Sequence, residues 1–267
     1  MKDKVVIITG ASSGIGLACA LKFYKEGAQV VMTARNKEKL LERTKIFEKE
    51  NTRVLVIACD VSNEDDCKGM IDQTIKEFGK IDVLINNAGI SMRAIFNSLD
   101  LKVIKSVMQT NFWGTVYCTK YALPYLLQTK GSVVGISSVA GKKGLPGRTG
   151  YSASKFAIEG FLESLRTENL NNDLHVLVAC PGFTASNIRN TALNAEGNQQ
   201  GDSPRDEKSM MSADEVANEI YVAVIKRKRD LLLTTNGKLT VWLNKFFPSM
   251  MDKVVFKHMS KEEGSPF

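Results

Sequence analysis

A hydroxyl, a phenol and an amine lie close together along one stretch of the chain. In the run Ile136 to Lys155 (ISSVAGKKGLPGRTGYSASK), Ser138 is followed thirteen residues on by Tyr151, and Lys155 stands four residues beyond. Phe156, Ile158, Phe161, Leu162 and Leu165 recur at helical spacing, which predicts a helix from Gly150 to Arg166. Residues four apart on a helix share a face, so Tyr151 and Lys155 point the same way. An ammonium beside a phenol favours the phenolate. Lys155 is therefore expected to draw the Tyr151 pKa below its unperturbed value of about 10 and make the phenol a useful acid and base near neutral pH. Taken alone, Y-x-x-x-K suits the start of an ordinary amphipathic helix equally well.

The elements that would position these groups alternate between strand and helix. Lys4–Thr9 is a short apolar run of the kind buried on both faces of a parallel sheet. Gly10-Ala-Ser-Ser-Gly14-Ile-Gly16 follows at once, and a helix pattern then runs to Gly27. Between a strand and a helix, glycines let the backbone approach a pyrophosphate whose charge the helix N-terminus holds. The spacing is T-G-x-x-x-G-x-G rather than G-x-G-x-x-G. The next strand, Gln29–Ala34, ends at Arg35 with no acid in reach. A carboxylate there would accept from a ribose 2′-hydroxyl, whereas a guanidinium grips a 2′-phosphate. Arg35 thus reads as choosing NADP(H) over NAD(H), against the alternative of a solvated arginine at a helix start.

Lys37–Glu50 reads as a charged surface helix and Arg53–Cys59 as a third strand, ending at Asp60 and Val61. Asp60 either accepts from an adenine amine or anchors the turn. Ser62 with Asp65 forms a capping box for a helix reaching Gly79. Ile81–Ile85 is a fourth strand, and Asn86-Asn87-Ala88-Gly89 after it suits close packing beside a cofactor ribose. The helical stretch Leu101 to Gln128 carries Asn111 at its middle, a poor interior residue that suggests a local opening of the helix; a tolerated surface Asn is the bland alternative. Ser132–Ser137 delivers Ser138 to the sheet edge, and Leu174–Ala179 ends at Pro181-Gly182-Phe183-Thr184-Ala185-Ser186. Residues 187–211 are polar and without period, and read as a substrate lid. Ser212 and Glu215 form another capping box, for a helix to Arg229, and Leu231–Thr235 is a seventh strand.

Composition excludes several classes. The chain has 267 residues, 43% hydrophobic and 24% charged, which suits one large α/β domain spanning 1–267. No apolar run approaches the roughly 20 residues that cross a bilayer. A strand beginning at Val5 leaves no room for a signal peptide. Five cysteines without C-x-x-C spacing and only two histidines argue against a metal site and for thiols in a reducing, cytoplasmic setting. Of the net charge of +7, +5 lies in the last 42 residues (nine Lys/Arg against four Asp/Glu), and no nucleic-acid module accompanies it.

Strands alternating with helices predict a doubly wound, Rossmann-like parallel sheet of seven strands. With TGASSGIG, Asp60, NNAG, Asn111, Ser138 with YSASK, and the Pro-Gly segment in this order, the chain resembles a short-chain dehydrogenase/reductase from about Lys4 to Thr235. The resemblance implies that Tyr151 is the general acid, that Lys155 lowers its pKa and binds the nicotinamide ribose, and that Ser138 stabilises the alkoxide. It implies that Asn111 holds a water linking Lys155 to solvent. Thr9, Gly10, Ser12, Ser13, Gly14, Ile15 and Gly16 would line the pyrophosphate. Asp60 and Val61 would meet the adenine, and Asn87, Ala88 and Gly89 the ribose side. Pro181, Gly182, Thr184 and Ser186 would bracket the carboxamide. Ser186 stands where the family usually has Thr. The glycine turn carries no basic residue, so Arg35 bears NADP selectivity with help only from Asn36 or Lys39.

Beyond the seventh strand, residues 236–267 continue where many members of the family stop. Trp242/Leu243, Phe246/Phe247, Met250/Met251 and Val254/Val255 recur every fourth position, with Lys238, Lys245, Lys253 and Lys257 between them. Pro248 separates two short amphipathic helices. They either pack on the body, roof the pocket or join subunits, or else lie in a membrane interface through 238–259. The expected activity is NADPH-dependent reduction of a ketone, or the reverse alcohol oxidation, on a hydrophobic, lipid-like or steroid-like substrate. A 3-ketoacyl-carrier-protein reductase and a non-catalytic NADP-binding regulator are the alternatives. A homodimer through Trp113, Tyr117 and Phe161 is expected, with a tetramer open.

Overall fold

The computed structural model describes residues 1–47, 54–185, 187–201, 210–262 and 264–267. Its apolar runs form β1 (Val5–Thr9), β2 (Gln29–Ala34), β3 (Val54–Ala58), β4 (Val83–Asn86), β5 (Ser132–Ile136), β6 (His175–Cys180) and β7 (Asp230–Leu232). All pair in parallel, in the order β3-β2-β1-β4-β5-β6-β7. Because successive side chains alternate in direction, each strand feeds two cores. Val6, Ile8, Val30 and Met32 pack with α1 (Gly14–Lys25), α7 (Ala213–Ile225) and Leu40 of α2 (Lys37–Thr44). Val5, Ile7 and Val31 face the other way, onto α3 (Glu64–Phe78), α5 (Gly114–Gln128) and α6 (Thr149–Glu168). The sheet is doubly wound and Rossmann-like. The strand order reverses between β1 and β4, where such sheets open a crevice at their carboxyl ends.

Three local details of the helices have physical reasons. Asn63, not Ser62, caps α3: its side chain accepts from the amides of Asp65 and Asp66, while the Ser62 hydroxyl turns back to Asp60. The stretch Leu101 to Gln128 is interrupted, as Asn111 suggested. α4 (Leu101–Met108) passes into a π-helical turn, Gln109–Trp113, before α5 begins. α7 stops at Ile225 rather than Arg229, because Arg227 takes a positive φ of 46° and the chain turns into β7. Arg227 is held there by hydrogen bonds to the carbonyls of Lys130 and Asp173. Arg53 of the expected third strand, and residues 48–50 of the expected second helix, lie outside the described residues.

Residues past β7 form α8 (Thr235–Phe246) and α9 (Pro248–Met259), with Pro248 in the first turn of α9, as the sequence reading expected. Met251, Val255 and Met259 share one face of α9 and bury it against Leu145 and Leu243. The extension therefore does pack on the body, but Leu239, Trp242, Phe246, Phe247, Met250, Val254 and Phe256 stay exposed.

Candidate active site

The floor of the crevice is the glycine turn. Gly10 and Gly14 take positive φ values of 68° and 54°, which side chains rarely adopt. A Cβ on Gly10 would stand 2.9 Å from the Ala88 Cα, so no other residue fits there without moving the backbone. Thr9 fixes this approach from beneath. Its hydroxyl accepts from the amides of Asn87 (3.0 Å) and Ala88 (2.9 Å) and donates to the Ile85 carbonyl (3.4 Å). The Asn87 side chain donates to the carbonyls of Thr9 (2.8 Å) and Gly10 (3.3 Å). Gly16 is equally structural, since a Cβ there would lie 2.5 Å from the Asn87 Nδ2. Gly10, Ser12, Ser13, Gly14, Ile15, Asn87, Ala88 and Gly89 line the cleft, whereas Thr9 and Gly16 lie behind it. The first turn of α1 carries no acid, so its amides meet the cleft without a competing anion.

At one end of the cleft stand Arg35, Asn36, Lys39, Asp60 and Val61. Arg35 is exposed, and the Asn36 side chain caps α2 by accepting from the Lys39 amide at 2.7 Å. One oxygen of Asp60 accepts from the Ser62 amide (3.0 Å) and hydroxyl (2.8 Å), which is the turn-anchoring arrangement.

Toward the other end, β5 and α6 bring Ser138, Tyr151 and Lys155 onto one wall. The Lys155 ammonium is buried, donates to the Ile136 carbonyl at 2.7 Å and lies 5.7 Å from the centre of the Tyr151 ring. Ser138 hydrogen-bonds Tyr151, and its hydroxyl also accepts from the Ala140 amide at 3.1 Å. Electrostatics differ from the sequence expectation. Burial pushes the Tyr151 phenol above its ordinary value, opposed by the Ser138 hydrogen bond and by the positive charge of Arg148. Lys155 is itself depressed, to about 8, because burial disfavours its ammonium. The cation acting on the phenol is thus Arg148. It sits just before α6 and donates to the Ser91 hydroxyl (3.3 Å) and the Met92 carbonyl (3.2 Å).

Asn111 does not reach the cleft wall. Within the π-helical turn its amide accepts from Ile90 N (2.8 Å) and donates to the Ile90 carbonyl (3.0 Å) and the Ser154 hydroxyl (2.9 Å). It ties the Gly89–Ser91 turn to α6, one residue from Lys155. Pro181, Gly182 and Thr184 line the cleft, and Ser186 lies outside the described residues. Residues 187–201 also border it, through Asn187, Ile188, Thr191 and Leu193. They are fastened rather than loose: Leu193 exchanges backbone hydrogen bonds with Ser91 (2.9 Å) and Arg93 (2.8 Å). The cleft encloses about 690 Å³. Sequence reasoning missed Ser91, Leu145 and Arg148 as wall residues.

No cluster of His, Cys, Asp or Glu among the described residues would hold a metal ion, and all five cysteines are buried free thiols. With this geometry, comparison with known proteins is decisive about class. Residues 4–197 match the family model for short chain dehydrogenases, and the chain belongs to that family of nucleotide-dependent oxidoreductases. Among its relatives is the dehydrogenase/reductase SDR family protein 7-like of Dictyostelium discoideum. It is 37% identical over 266 residues, which cover 97% of this chain and 83% of that protein. An 11-beta-hydroxysteroid dehydrogenase 1A of Arabidopsis thaliana is 43% identical over 187 residues, covering 69% of this chain and 53% of that protein. A Burkholderia phymatum short chain dehydrogenase/reductase, solved in complex with NAD, superposes with a TM-score of 0.83 at 23% identity, over 93% of this chain and 95% of that one.

Proposed function

We propose that the protein is an NADPH-dependent carbonyl reductase acting on a hydrophobic ketone, or on the corresponding alcohol in reverse. The observation that carries this reading is Ser138, Tyr151 and Lys155 on one wall of a cleft whose floor is a glycine turn at a helix N-terminus. A nicotinamide dinucleotide fits that turn, because the positive-φ glycines and acid-free first helical turn leave backbone amides open to a pyrophosphate. When bound, such a cofactor supplies hydride to the carbonyl carbon. Tyr151 donates its phenolic proton to the carbonyl oxygen, so that hydride and proton together give the alcohol. A phenol held protonated by burial suits the reducing direction. Ser138 donates to the same oxygen as negative charge gathers on it. Lys155, braced by the Ile136 carbonyl, holds the ribose beside the nicotinamide and stands ready to reprotonate Tyr151.

Arg35, with Lys39 beside it, supports selection of the 2′-phosphate, since β2 runs directly into Arg35 rather than into an acid. Leu145, Phe183, Ile188 and Leu193 at the far end support an apolar substrate. Residues 187–201 border the substrate end of the cleft, and residues 202–209 of the expected lid lie outside the described residues. Trp113 and Phe156, both exposed, with Tyr117 and Phe161 near them, support pairing of α5 and α6 between two copies. Free thiols suit a reducing, cytoplasmic compartment.

The test is a screen of NADPH oxidation against ketones of graded chain length, repeated with Tyr151→Phe. The expected outcome is turnover that rises with apolar length and falls by at least two orders of magnitude in the variant. Activity of the variant within tenfold of wild type would remove Tyr151 as the acid.

A further inference from the structure

We propose that the outward face of α8 and α9 docks on an anionic lipid surface. Of the apolar pairs in this segment, Phe246 and Phe247 are both exposed, and each of the others turns one member away from the protein. Met251 and Val255 are buried, while their neighbours Met250 and Val254 are 45% and 50% exposed. Leu239, Trp242 and Phe246 lie along one side of α8, 53–62% exposed, and Phe247 at the junction is 52% exposed. Exposed apolar side chains this dense mark a binding surface rather than ordinary surface scatter.

The charge around this stripe chooses the occupant. Lys238, Lys245, Lys253 and Lys257 are exposed beside it. Asp252, the only acid from 238 to 259, is held by Lys143. A second copy of the chain meeting this face about a two-fold axis would set these lysines against one another with no acids to offset them. Anionic headgroups offset them, and acyl chains take up the apolar stripe. No helix among the described residues is long and apolar enough to cross a membrane, and each of these helices has 12 residues, so they would lie along the surface.

The docking face adjoins the cleft. Leu145 lines the cleft and packs under α9, and the ring of Phe183, another wall residue, lies 6.3 Å from that of His258. A substrate dissolved in the bilayer would therefore enter at the end where Tyr151 waits. The surface does not depend on the reductase reading, and its test requires no turnover.

The full chain carrying Trp113→Phe, which leaves Trp242 as the reporting indole, is mixed with vesicles of phosphatidylcholine alone or with added phosphatidylserine. Expected are sedimentation with the anionic vesicles, a blue shift of Trp242 emission and its quenching by brominated acyl chains. The variant Phe246→Asp/Met250→Asp, with an unchanged thermal midpoint, should weaken binding by roughly tenfold or more. Replacing the four lysines with Gln should abolish the preference for phosphatidylserine while leaving fold and midpoint intact. No binding to either vesicle overturns the proposal, as does binding that both variants retain. Self-association abolished by the Phe246→Asp/Met250→Asp change, with vesicles unbound, would assign the face to a second copy and equally overturn it.

Discussion

Replacing Lys155 with Met tests whether the site holds a charge at the expense of stability. The ammonium is buried, and burial lowers its pKa from 10.5 to about 8. Below about pH 8 the lysine is protonated in both folded and unfolded chains, and the full cost of burying the charge is present. Between about 8 and 10.5 the unfolded chain keeps the proton and the folded one does not, so rising pH stabilises the fold through this group. A depression of that size corresponds to about 3 kcal/mol at pH 7, most of which is gone by pH 10. Met removes the charge, and it also removes the 2.7 Å hydrogen bond to the Ile136 carbonyl, a loss of about 1.5–3 kcal/mol that does not vary over this range. The two effects nearly offset at pH 7, so the absolute difference there decides little. The pH dependence decides it. Urea unfolding of both proteins at intervals from pH 7 to 10 should show wild type gaining about 2–3 kcal/mol relative to Lys155→Met across the range. A constant difference, within about 0.5 kcal/mol, would refute the claim that Lys155 is a charge strained by burial.

Three further outcomes follow from particular contacts. Arg35→Ala should weaken NADPH binding by roughly tenfold or more while leaving NADH within about twofold, as read by nucleotide fluorescence titration; equal losses would separate Arg35 from the 2′-phosphate. Thr9→Val deprives two backbone amides of their acceptor and should cost about 2–4 kcal/mol in urea unfolding, whereas Thr9→Ser should stay within about 1 kcal/mol. Glu262→Gln removes the buried carboxylate that stands 3.5 Å from Arg93 and 3.8 Å from Arg148. It should lower the thermal midpoint by several degrees, reading a loss of about 2–4 kcal/mol for one partner of a buried ion cluster, with Glu262→Asp intermediate. A midpoint unchanged by Glu262→Gln would show that the cluster contributes nothing to folding.

Much of the fold was legible because periodicity is a local signal. β2 and the Ser212–Glu215 capping box came out as read, and a single asparagine announced the break between α4 and α5. What sequence could not weigh was burial. Tyr151 and Lys155 do share a wall, but the sign of the phenol's shift depends on how much water the fold removes, and burial outweighs the nearby Arg148. Arg148 was invisible for the same reason: its role follows from contacts with Ser91, Met92 and Glu262, none near it in sequence. Ser62 and Asn63 are both good caps, and only the competing turn at Asp60 decides between them. The doubled apolar positions on either side of Pro248 told of two helices but not which side chains turn inward.

The position of β1 between β2 and β4 has a consequence for biosynthesis. As the polypeptide leaves the ribosome, β1, β2 and β3 can assemble early, yet the inner edge of β1 stays bare until β4 emerges some seventy residues later. The hydroxyl that clasps the two halves, on Thr9, meets its partners only when Asn87 and Ala88 are free of the exit tunnel. A nascent chain halted before that point carries an intact glycine turn with nothing to brace it.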